Sequence, residues 1–323
     1  DRLRSRGLGD VYKRQDKYNK DNGASYEPLP PSAFKLADAE GNELSASEGI
    51  RVPAGDFSAK IMVKVGQLDS KDFPANKKYA IPLSITGASN YSLIPSQRSA
   101  ILLLNRSILS SVAKVSGGEG IRIKPVGMHT KAEWTIQMSA IYSSLTRSNL
   151  TTAYLSNGTG GEFYTRISST AGIQVKNGRD GDDTWTQTPL QAGKWLHITY
   201  VHKDKKTTVY VNGKVQKVFE NSAITFGENS MIVVGNSGYR NDYLREIRLW
   251  DKALTESEIN DYLYLPMAPA TPHLISYLPL SKEMETKDLK APAGTENVTT
   301  KARIEYVENV KFPADELVIV NQE

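Results

Sequence analysis

The segment Thr207-Thr-Val-Tyr-Val-Asn-Gly-Lys-Val-Gln-Lys-Val-Phe219 carries the signal that decides the fold. Its halves, Thr207–Val211 and Lys214–Phe219, are both rich in β-branched and aromatic residues, and only Asn212 and Gly213 separate them. Asn-Gly readily adopts the positive φ angles of a type I′ turn, which joins neighbouring antiparallel strands. The segment therefore predicts a β-hairpin.

Runs of alternating apolar and polar residues lie on both sides of this hairpin. Trp134–Ile141 and Trp195–Val201 precede it, and Leu244–Trp250 follows it. Phe57–Val65 and Lys78–Thr86 have the same period of two farther upstream. Short runs of this kind, separated by turn residues, are typical of antiparallel sandwiches. The sequence therefore predicts an all-β protein.

One short helix is also predicted. Thr255 and Glu258 have the spacing of a capping box, in which each side chain bonds to the backbone N–H of the other residue. Leu254 and Ile259 occupy the positions of a hydrophobic staple. We expect this helix to run from Glu256 to Leu263.

The length of 323 residues is too great for one compact core and suits two domains. We predict an Ig-like sandwich over residues 16–110, a larger β domain over 111–265, and a C-terminal β extension over 266–323 that packs on the larger domain. Residues 16–31 are polar and contain three prolines, so we expect an extended lead-in there.

The first fifteen residues are left out of the fold prediction. Ser5-Arg-Gly-Leu-Gly-Asp-Val-Tyr-Lys-Arg-Gln15 resembles a translated sequencing adapter. If residues 1–15 are such an artefact, a signal peptide or a lipid-anchor cysteine that lies upstream in the natural protein is missing from this chain.

The composition excludes several classes of site. There are no cysteines, which excludes disulfides, thiolate metal sites and cysteine nucleophiles. Forty basic and 36 acidic residues leave a net charge of +4, and no cluster of basic and aromatic residues indicates a nucleic-acid partner. His197 and His202 are five residues apart in one predicted strand and so point to opposite faces, which disfavours a histidine-based zinc site.

The larger domain resembles the laminin-G-like, concanavalin A-like jelly roll. The motifs that carry the resemblance occur in the family's order: Gly193-Lys-Trp-Leu-His-Ile-Thr-Tyr200, the Asn212-Gly213 hairpin, Arg245-Glu-Ile-Arg-Leu-Trp250 and Ala253-Leu-Thr-Glu-Ser-Glu-Ile259. The resemblance covers residues 112–265. It implies a jelly roll and places Trp134, Trp195 and Trp250 in the core.

The first domain is similar to an N-terminal domain of unknown function in surface proteins of Bacteroidota glycan-utilisation loci. Ala59-Lys-Ile-Met-Val-Lys-Val65 and Lys78-Tyr-Ala-Ile-Pro-Leu-Ser-Ile-Thr86 carry this similarity. It implies a polysaccharide or a glycoprotein glycan as the ligand. It also implies a location at the cell surface or outer membrane, held by an N-terminal lipid anchor that this chain lacks, with the periplasm as the alternative.

A sugar presents flat apolar faces and many hydroxyl groups, so its binding site needs an exposed aromatic ring beside polar side chains. Trp185 follows a polar, loop-like stretch and is one candidate platform. The second candidate is a loop with Tyr239 as the platform, followed by Arg240, Asn241, Asp242 and Tyr243. The alternative for this loop is a turn that carries polar side chains and has no binding role.

Asp180, Asp182 and Asp183 form a carboxylate-rich loop with a glycine between the first two. Carboxylate oxygens suit Ca²⁺, so we consider a calcium site there. The spacing lacks the twelfth-position Glu of an EF-hand, and a solvated hairpin tip is the alternative.

A non-catalytic glycan-binding protein is the function predicted from these observations. The strand pattern Glu-x-Asp-x-x-Glu, which places paired acids on one face of a jelly-roll hydrolase, does not occur. We expect Glu246 and Arg248 to form a cross-strand salt bridge instead. The alternatives are a protein-adhesion or structural scaffold module and, third, a cryptic glycoside hydrolase.

Overall fold

The structure is a computed structural model. It describes residues 2–22, 24–44, 49–52, 54–56, 58–69, 71–74, 77–90, 92–104, 106–126, 131–146, 149–156, 163–176, 184–220, 223–235 and 239–321, with the backbone alone over residues 2–11. The chain divides into two compact units, residues 1–106 and residues 107–323. Strands dominate the chain as a whole, which confirms the predicted all-β class, although the N-terminal unit also contains one long helix.

The N-terminal unit contains two small sheets and one helix. Its elements are α1 (Arg2–Asn22), β1 (Tyr26–Pro28), β2 (Phe34–Ala37), β3 (Met62–Val65), β4 (Lys78–Ser84) and β5 (Ser99–Leu104). One sheet has the order β1-β4-β5 with β1 and β4 parallel, and β2 and β3 pair antiparallel in the other. Leu29, Tyr79 and Ile81 form the buried core of the unit.

Helix α1 corrects one expectation from the sequence. Residues 16–22, predicted as part of an extended lead-in, are helical. The side chain of Asn19 donates to the carbonyl of Tyr26 at 2.8 Å and accepts from the N–H of the same residue at 3.1 Å. Gln15 donates to the same carbonyl at 2.9 Å. These bonds dock the helix on β1. No helix in the described part of the chain is long and apolar enough to cross a bilayer.

The second unit is an antiparallel sandwich of two sheets. Its strands are β6 (Ile108–Gly117), β7 (Ile121–Ile123), β8 (Trp134–Ile141), β9 (Thr151–Tyr154), β10 (Phe163–Ser168), β11 (Gly172–Lys176), β12 (Trp195–Lys203), β13 (Lys206–Val211), β14 (Lys214–Glu220), β15 (Met231–Val234), β16 (Tyr239–Trp250), β17 (Leu274–Leu278), β18 (Val298–Thr299) and β19 (Arg303–Phe312).

The larger sheet has the order β14-β13-β12-β8-β16-β6-β19, with β17 also paired to β16. The smaller sheet has the order β11-β10-β9-β15-β7-β18. Strands from the C-terminal region thus enter both sheets. The main core lies between the sheets, where the buried ring of Trp134 contacts Phe163 and Phe226 with centroids 5.1 Å apart.

The local predictions in this unit are confirmed. Asn212 and Gly213, at φ angles of 51° and 76°, connect β13 to β14. Helix α2 (Glu256–Asp261) begins with both bonds of the Thr255–Glu258 capping box, although it ends before the predicted Leu263. Three tryptophans predicted to pack in the interior are at most 4% exposed: Trp134, Trp195 and Trp250.

Candidate functional site

The loop predicted to present Tyr239 does not form an exposed platform. Tyr239 is only 4% exposed, packs in the main core, and donates from its hydroxyl to the carbonyl of Val234 at 2.5 Å. Gly235 makes room for this ring, since a Cβ there would lie 2.1 Å from the tyrosine. The prediction that Tyr239 is a sugar-stacking residue is therefore wrong.

The four residues that follow Tyr239 in the sequence differ in their exposure. Asp242 is fully buried and accepts hydrogen bonds from the N–H and hydroxyl of Ser143 at 2.8 and 3.0 Å, so its carboxylate anchors a neighbouring segment. Asn241, at a φ of 61°, is the bulged residue that keeps Arg240 and itself exposed. Tyr243 is half-buried in β16. The five residues do not converge on one surface.

Trp185 lies at the edge of the smaller sheet. It forms an antiparallel bridge with Gln174 of β11, and its carbonyl accepts from Lys217 Nζ at 2.8 Å. The side chain is half-buried. Because directly opposed residues of antiparallel strands share a face, Trp185 and Gln174 lie on the same side of the sheet.

That side is the outer face of the smaller sheet, turned away from the core. Phe163 and Ile173 point inward, so their neighbours along β10 and β11 point outward. The strand register places these outward residues in two rows: Trp185, Gln174 and Arg166 in one, and Lys176, Tyr164 and Thr152 in the other. We call these six residues the open face.

Several polar atoms of the open face have no hydrogen-bond partner among the residues that the structure describes. They are Thr152 Oγ1, Gln174 Oε1 and Arg166 Nε, although Gln174 does donate from its amide nitrogen to Thr184 at 2.8 Å. Thr152 and Gln174 are 4% and 6% exposed, whereas the ring of Tyr164 beside them is half-exposed. Buried polar atoms are normally paired, so these three atoms are candidates for contact with a ligand or with bound water.

Cations flank the aromatic ring of the open face. The guanidinium carbon of Arg166 lies 5.3 Å from the ring centroid of Tyr164, and the ammonium group of Lys176 lies 5.9 Å from it. Sequence reasoning selected only Trp185 from this set. The alternation in β10 and β11 carries a usable signal, because it places Tyr164, Arg166 and Gln174 on one side.

The same sheet continues from the open face to a groove of about 530 Å³. Thr152 is opposite Val233 of β15, which is opposite Arg122 of β7, and Arg122 lines the groove. The wall also includes Lys124, Glu228, Met231 and Asn297. Thr152 and Val233 are 4% and 0% exposed, so this row is covered between the open face and the groove.

The outer face of the larger sheet also carries polar side chains, but the chain covers it. We call its buried cluster the closed face: Ser139, His197, Arg245, Glu246 and Arg248. Arg248 bonds to Glu246 at 2.5 and 3.1 Å and to the carbonyls of Tyr262 and Leu265 at 3.0 and 2.6 Å. The predicted salt bridge between Glu246 and Arg248 is therefore present, and it lies within β16 and not across two strands.

Ser139 and His197 lie 2.6 Å apart, the spacing of a nucleophile and its base, but this pair is sealed. Both residues are 4% exposed, and the adjoining cavity of about 10 Å³ has room for one water molecule. Burial, with Arg245 and Arg248 nearby, lowers the pKa of His197 to about 3. The second ring nitrogen of His197 has no partner in the described structure, so no carboxylate orients the ring.

The predicted calcium ligands Asp180, Asp182 and Asp183 lie outside the described residues. Within the described ranges, no three histidine, aspartate or glutamate side chains group closely enough to hold a metal ion. Calcium binding by this loop stays a prediction.

Comparisons with known families agree with the two-unit fold. The model of the Laminin G 3 family, described as the concanavalin A-like lectin/glucanases superfamily, matches residues 116–260, which confirms the resemblance of the larger domain. A second family model, described as an N-terminal domain, matches residues 14–92. No curated protein matches the sequence.

Several solved structures resemble this chain at low sequence identity. A crystal structure of a "putative carbohydrate binding protein" from Bacteroides ovatus is 19% identical, with a TM-score of 0.54 over 94% of this chain and 86% of that chain. A heptameric pentraxin from Limulus polyphemus is 12% identical, with a TM-score of 0.42 over 62% and 94% of the two chains. A domain of an extracellular arabinanase from Geobacillus stearothermophilus, in complex with arabinotriose, is 18% identical, with a TM-score of 0.39 over 46% and 75%.

Proposed function

We propose that this protein binds a glycan on the open face of its sandwich and does not hydrolyse it. One observation carries the proposal: in the described part of the chain, Thr152, Gln174 and Arg166 each have a buried polar atom without a hydrogen-bond partner, and these residues adjoin two half-exposed aromatic rings. Polar atoms held out of water lose free energy unless a ligand pairs with them. Tyr164 and Trp185 supply the apolar surface beside them.

The chemistry of a sugar fits this arrangement. The apolar face of a pyranose packs on an aromatic ring, and its hydroxyl groups both donate and accept. Gln174 Oε1 requires a donor, Arg166 Nε requires an acceptor, and Thr152 Oγ1 can serve as either. A hydroxyl-rich ligand satisfies all three, whereas a flat apolar protein surface leaves them unpaired.

Binding without cleavage is supported by the absence of paired acids on this face. Glycosidic hydrolysis needs two carboxyl groups on opposite sides of the scissile bond. None of the six residues of the open face is acidic. The Bacteroides ovatus protein that shares the fold over most of both chains is likewise described in terms of carbohydrate binding.

A role at the bacterial cell surface, within a glycan-utilisation system, is part of the same proposal. Its support is the resemblance of the first domain to surface proteins of such systems. Calcium is proposed as an accessory to glycan binding, since the chain between Lys176 and Thr184 holds three aspartates next to the open face in sequence.

Calorimetric titration of the full chain against plant and host glycans tests the proposal. We expect a subset of glycans to bind, and we expect Trp185→Ala and Tyr164→Ala each to weaken binding at least about tenfold, as the loss of an aromatic contact of about 1.4 kcal/mol does. Tyr243→Ala is the matched control, because Tyr243 is a half-buried tyrosine on the other sheet. Each titration is run with calcium and with a chelator, and the glycans are checked for cleavage.

The alternatives give different results. Loss of binding in Tyr243→Ala but not in Tyr164→Ala would move the site to the loop at residues 239–243. Cleaved glycan would establish a hydrolase. If no glycan of a broad panel binds while circular dichroism shows folded β structure, the result would favour the hypothesis of a protein-adhesion or scaffold module.

A further inference from the structure

We propose that the glycan bound by the open face is acidic, and that Arg166 selects it by pairing with a carboxylate or sulfate group on the sugar. This inference rests on the proposed function, and it adds the chemical class of the ligand and the residue that recognises it.

The charged residues of the open face are all basic. Arg166 and Lys176 point outward from it, whereas Arg122, farther along the same sheet, is paired with Glu119 at 3.1 Å. No acidic residue points outward from the described parts of strands β9, β10, β11, β15 and β7. The whole chain has a net charge of only +4, so this local excess is not a consequence of composition.

The state of Arg166 points more directly to an anion. Its guanidinium group stacks against Tyr164, its Nε is buried without an acceptor, and it forms no ion pair within the described structure. A guanidinium group held partly out of water is costly unless an anion or several acceptors bind it. Its planar donors match the two oxygens of a carboxylate or sulfate group.

On the closed face, an arginine with a structural role has acceptors that the chain itself supplies. Arg248 bonds to the carboxylate of Glu246 and to two backbone carbonyls. Arg245 Nε also lacks a hydrogen-bond partner in the described structure, but Arg245 is fully buried, with Nη2 3.6 Å from Glu246 Oε1 and its guanidinium carbon 4.1 Å from the ring centroid of Phe312. Arg166, in contrast, is half-exposed, and no acceptor in the described structure pairs with its Nε.

The neighbours of Arg166 define the rest of the ligand. An acidic group bound at Arg166 places the sugar ring over Tyr164 or Trp185, within reach of Gln174 across the strand pair. Gln174 Oε1 then accepts from a sugar hydroxyl. A carboxylated sugar and a sulfated sugar share this chemistry.

Paired probes test the inference by calorimetry on the full chain. One arm uses uronic-acid oligosaccharides and their carboxyl-reduced counterparts, and the other uses sulfated oligosaccharides and their desulfated counterparts. We expect at least one acidic probe to bind about tenfold or more tightly than its neutral counterpart, since hydrogen bonds between charged groups are stronger than those between neutral groups. The arm that shows the preference identifies the acidic group, and the preference should weaken as sodium chloride rises.

Variants assign the preference to one side chain. Arg166→Gln should abolish the preference for the acidic probe, and Arg166→Lys should retain part of it, because lysine keeps the charge but not the paired donors. Arg240→Gln is the matched control, since Arg240 is an exposed arginine of the other sheet, and it should leave the preference intact. Circular dichroism verifies that each variant is folded.

The failure of this inference is distinguishable from failure of glycan binding. Equal binding of acidic and neutral probes overturns the inference and leaves the proposed function standing. A preference that survives in Arg166→Gln but disappears with a chelator also overturns it, because a bound metal ion would then recognise the acid. A folded protein that binds no glycan in either set overturns the proposed function itself.

Discussion

The outer faces of the two sheets have similar residue patterns, but they differ in whether another segment of the chain pairs with their polar side chains. Both are lined by alternate residues of neighbouring strands, and both include arginine, a hydroxyl-bearing residue and an aromatic neighbour. On the closed face, the segment over Tyr262–Leu265 covers the sheet and supplies carbonyl acceptors to Arg248. On the open face, Thr152, Gln174 and Arg166 keep unpartnered atoms beside half-exposed rings. Polar residues on a sheet therefore indicate function only where the chain itself does not complete their bonds.

The largest expected effect comes from breaking the closed face. Arg248→Ala leaves the carboxylate of Glu246 buried without its cation, and we expect the free energy of unfolding to fall by about 3–5 kcal/mol. Urea denaturation followed by tryptophan fluorescence measures this change. Arg240→Ala serves as the control and should change stability by less than about 0.5 kcal/mol, as exposed substitutions do. An Arg248→Ala protein as stable as the parent would show that this pair does not hold the cover in place.

Acid should lower the free energy of unfolding through His197 on the closed face. Burial lowers the pKa of His197 from its ordinary value of 6.5 to about 3 in the folded protein, so below about pH 6.5 the unfolded chain binds more protons. Stability from this group is complete above that pH and is lost as the pH falls toward 3. We expect the unfolding midpoint in urea to drop between about pH 7 and pH 4, and to drop less in His197→Gln. An identical drop in the variant would assign the acid sensitivity to other groups.

A tyrosine series sharpens the role of the open face. Tyr164→Phe keeps the ring and should retain most of the glycan affinity, whereas Tyr164→Ala should lose about 1.4 kcal/mol, or tenfold. Neither should lower stability as Arg248→Ala does, because the ring of Tyr164 is half-exposed. Equal losses for the two variants would mean that the hydroxyl group, and not the ring, contacts the ligand.

The smallest expected effects come from removing one hydroxyl group from each of the two faces. Thr152→Val removes a buried hydroxyl that has no partner, so we expect unfolding stability to stay constant or to rise by up to about 1 kcal/mol while glycan affinity falls. Ser139→Ala removes a hydroxyl that bonds to His197, and it should cost about 1 kcal/mol. Chemical denaturation and calorimetry of the two variants measure both quantities. If Thr152→Val is destabilised as much as Ser139→Ala, the hydroxyl of Thr152 already has a structural partner.

Local sequence signals predicted the features that are held by local interactions. The turn at Asn212 and Gly213 and the cap at Thr255 depend on residues within a few positions of each other. Helix α1 over residues 16–22 was missed, because its anchor is the contact of Asn19 with Tyr26 and no periodic apolar pattern announces it.

The site was harder to predict for a physical reason. Alternation assigns side chains to the two sides of a strand, but it does not say which outer side another segment covers. Tyr239 follows a glycine-containing loop, a context that favours exposure, yet the space left by Gly235 admits its ring to the core. Tyr164 and Trp185 share a face only through pairing with β11, which places Gln174 between their strands.

The pairing of β6 with β19 has a consequence for the evolution of this architecture. Ile108, at the entrance to the sandwich, is directly opposite Phe312, near its exit, so the backbone enters and leaves about 5 Å apart. A domain with neighbouring ends can be inserted into a surface loop of a host protein without stretching that loop. Residues 313–320 fold back on β19, where Lys311 N–H bonds to the carbonyl of Val318 at 2.8 Å, so a movable domain has to include them. A fusion of the whole second unit, residues 107–323, within a host loop should leave both the unit and its host able to fold.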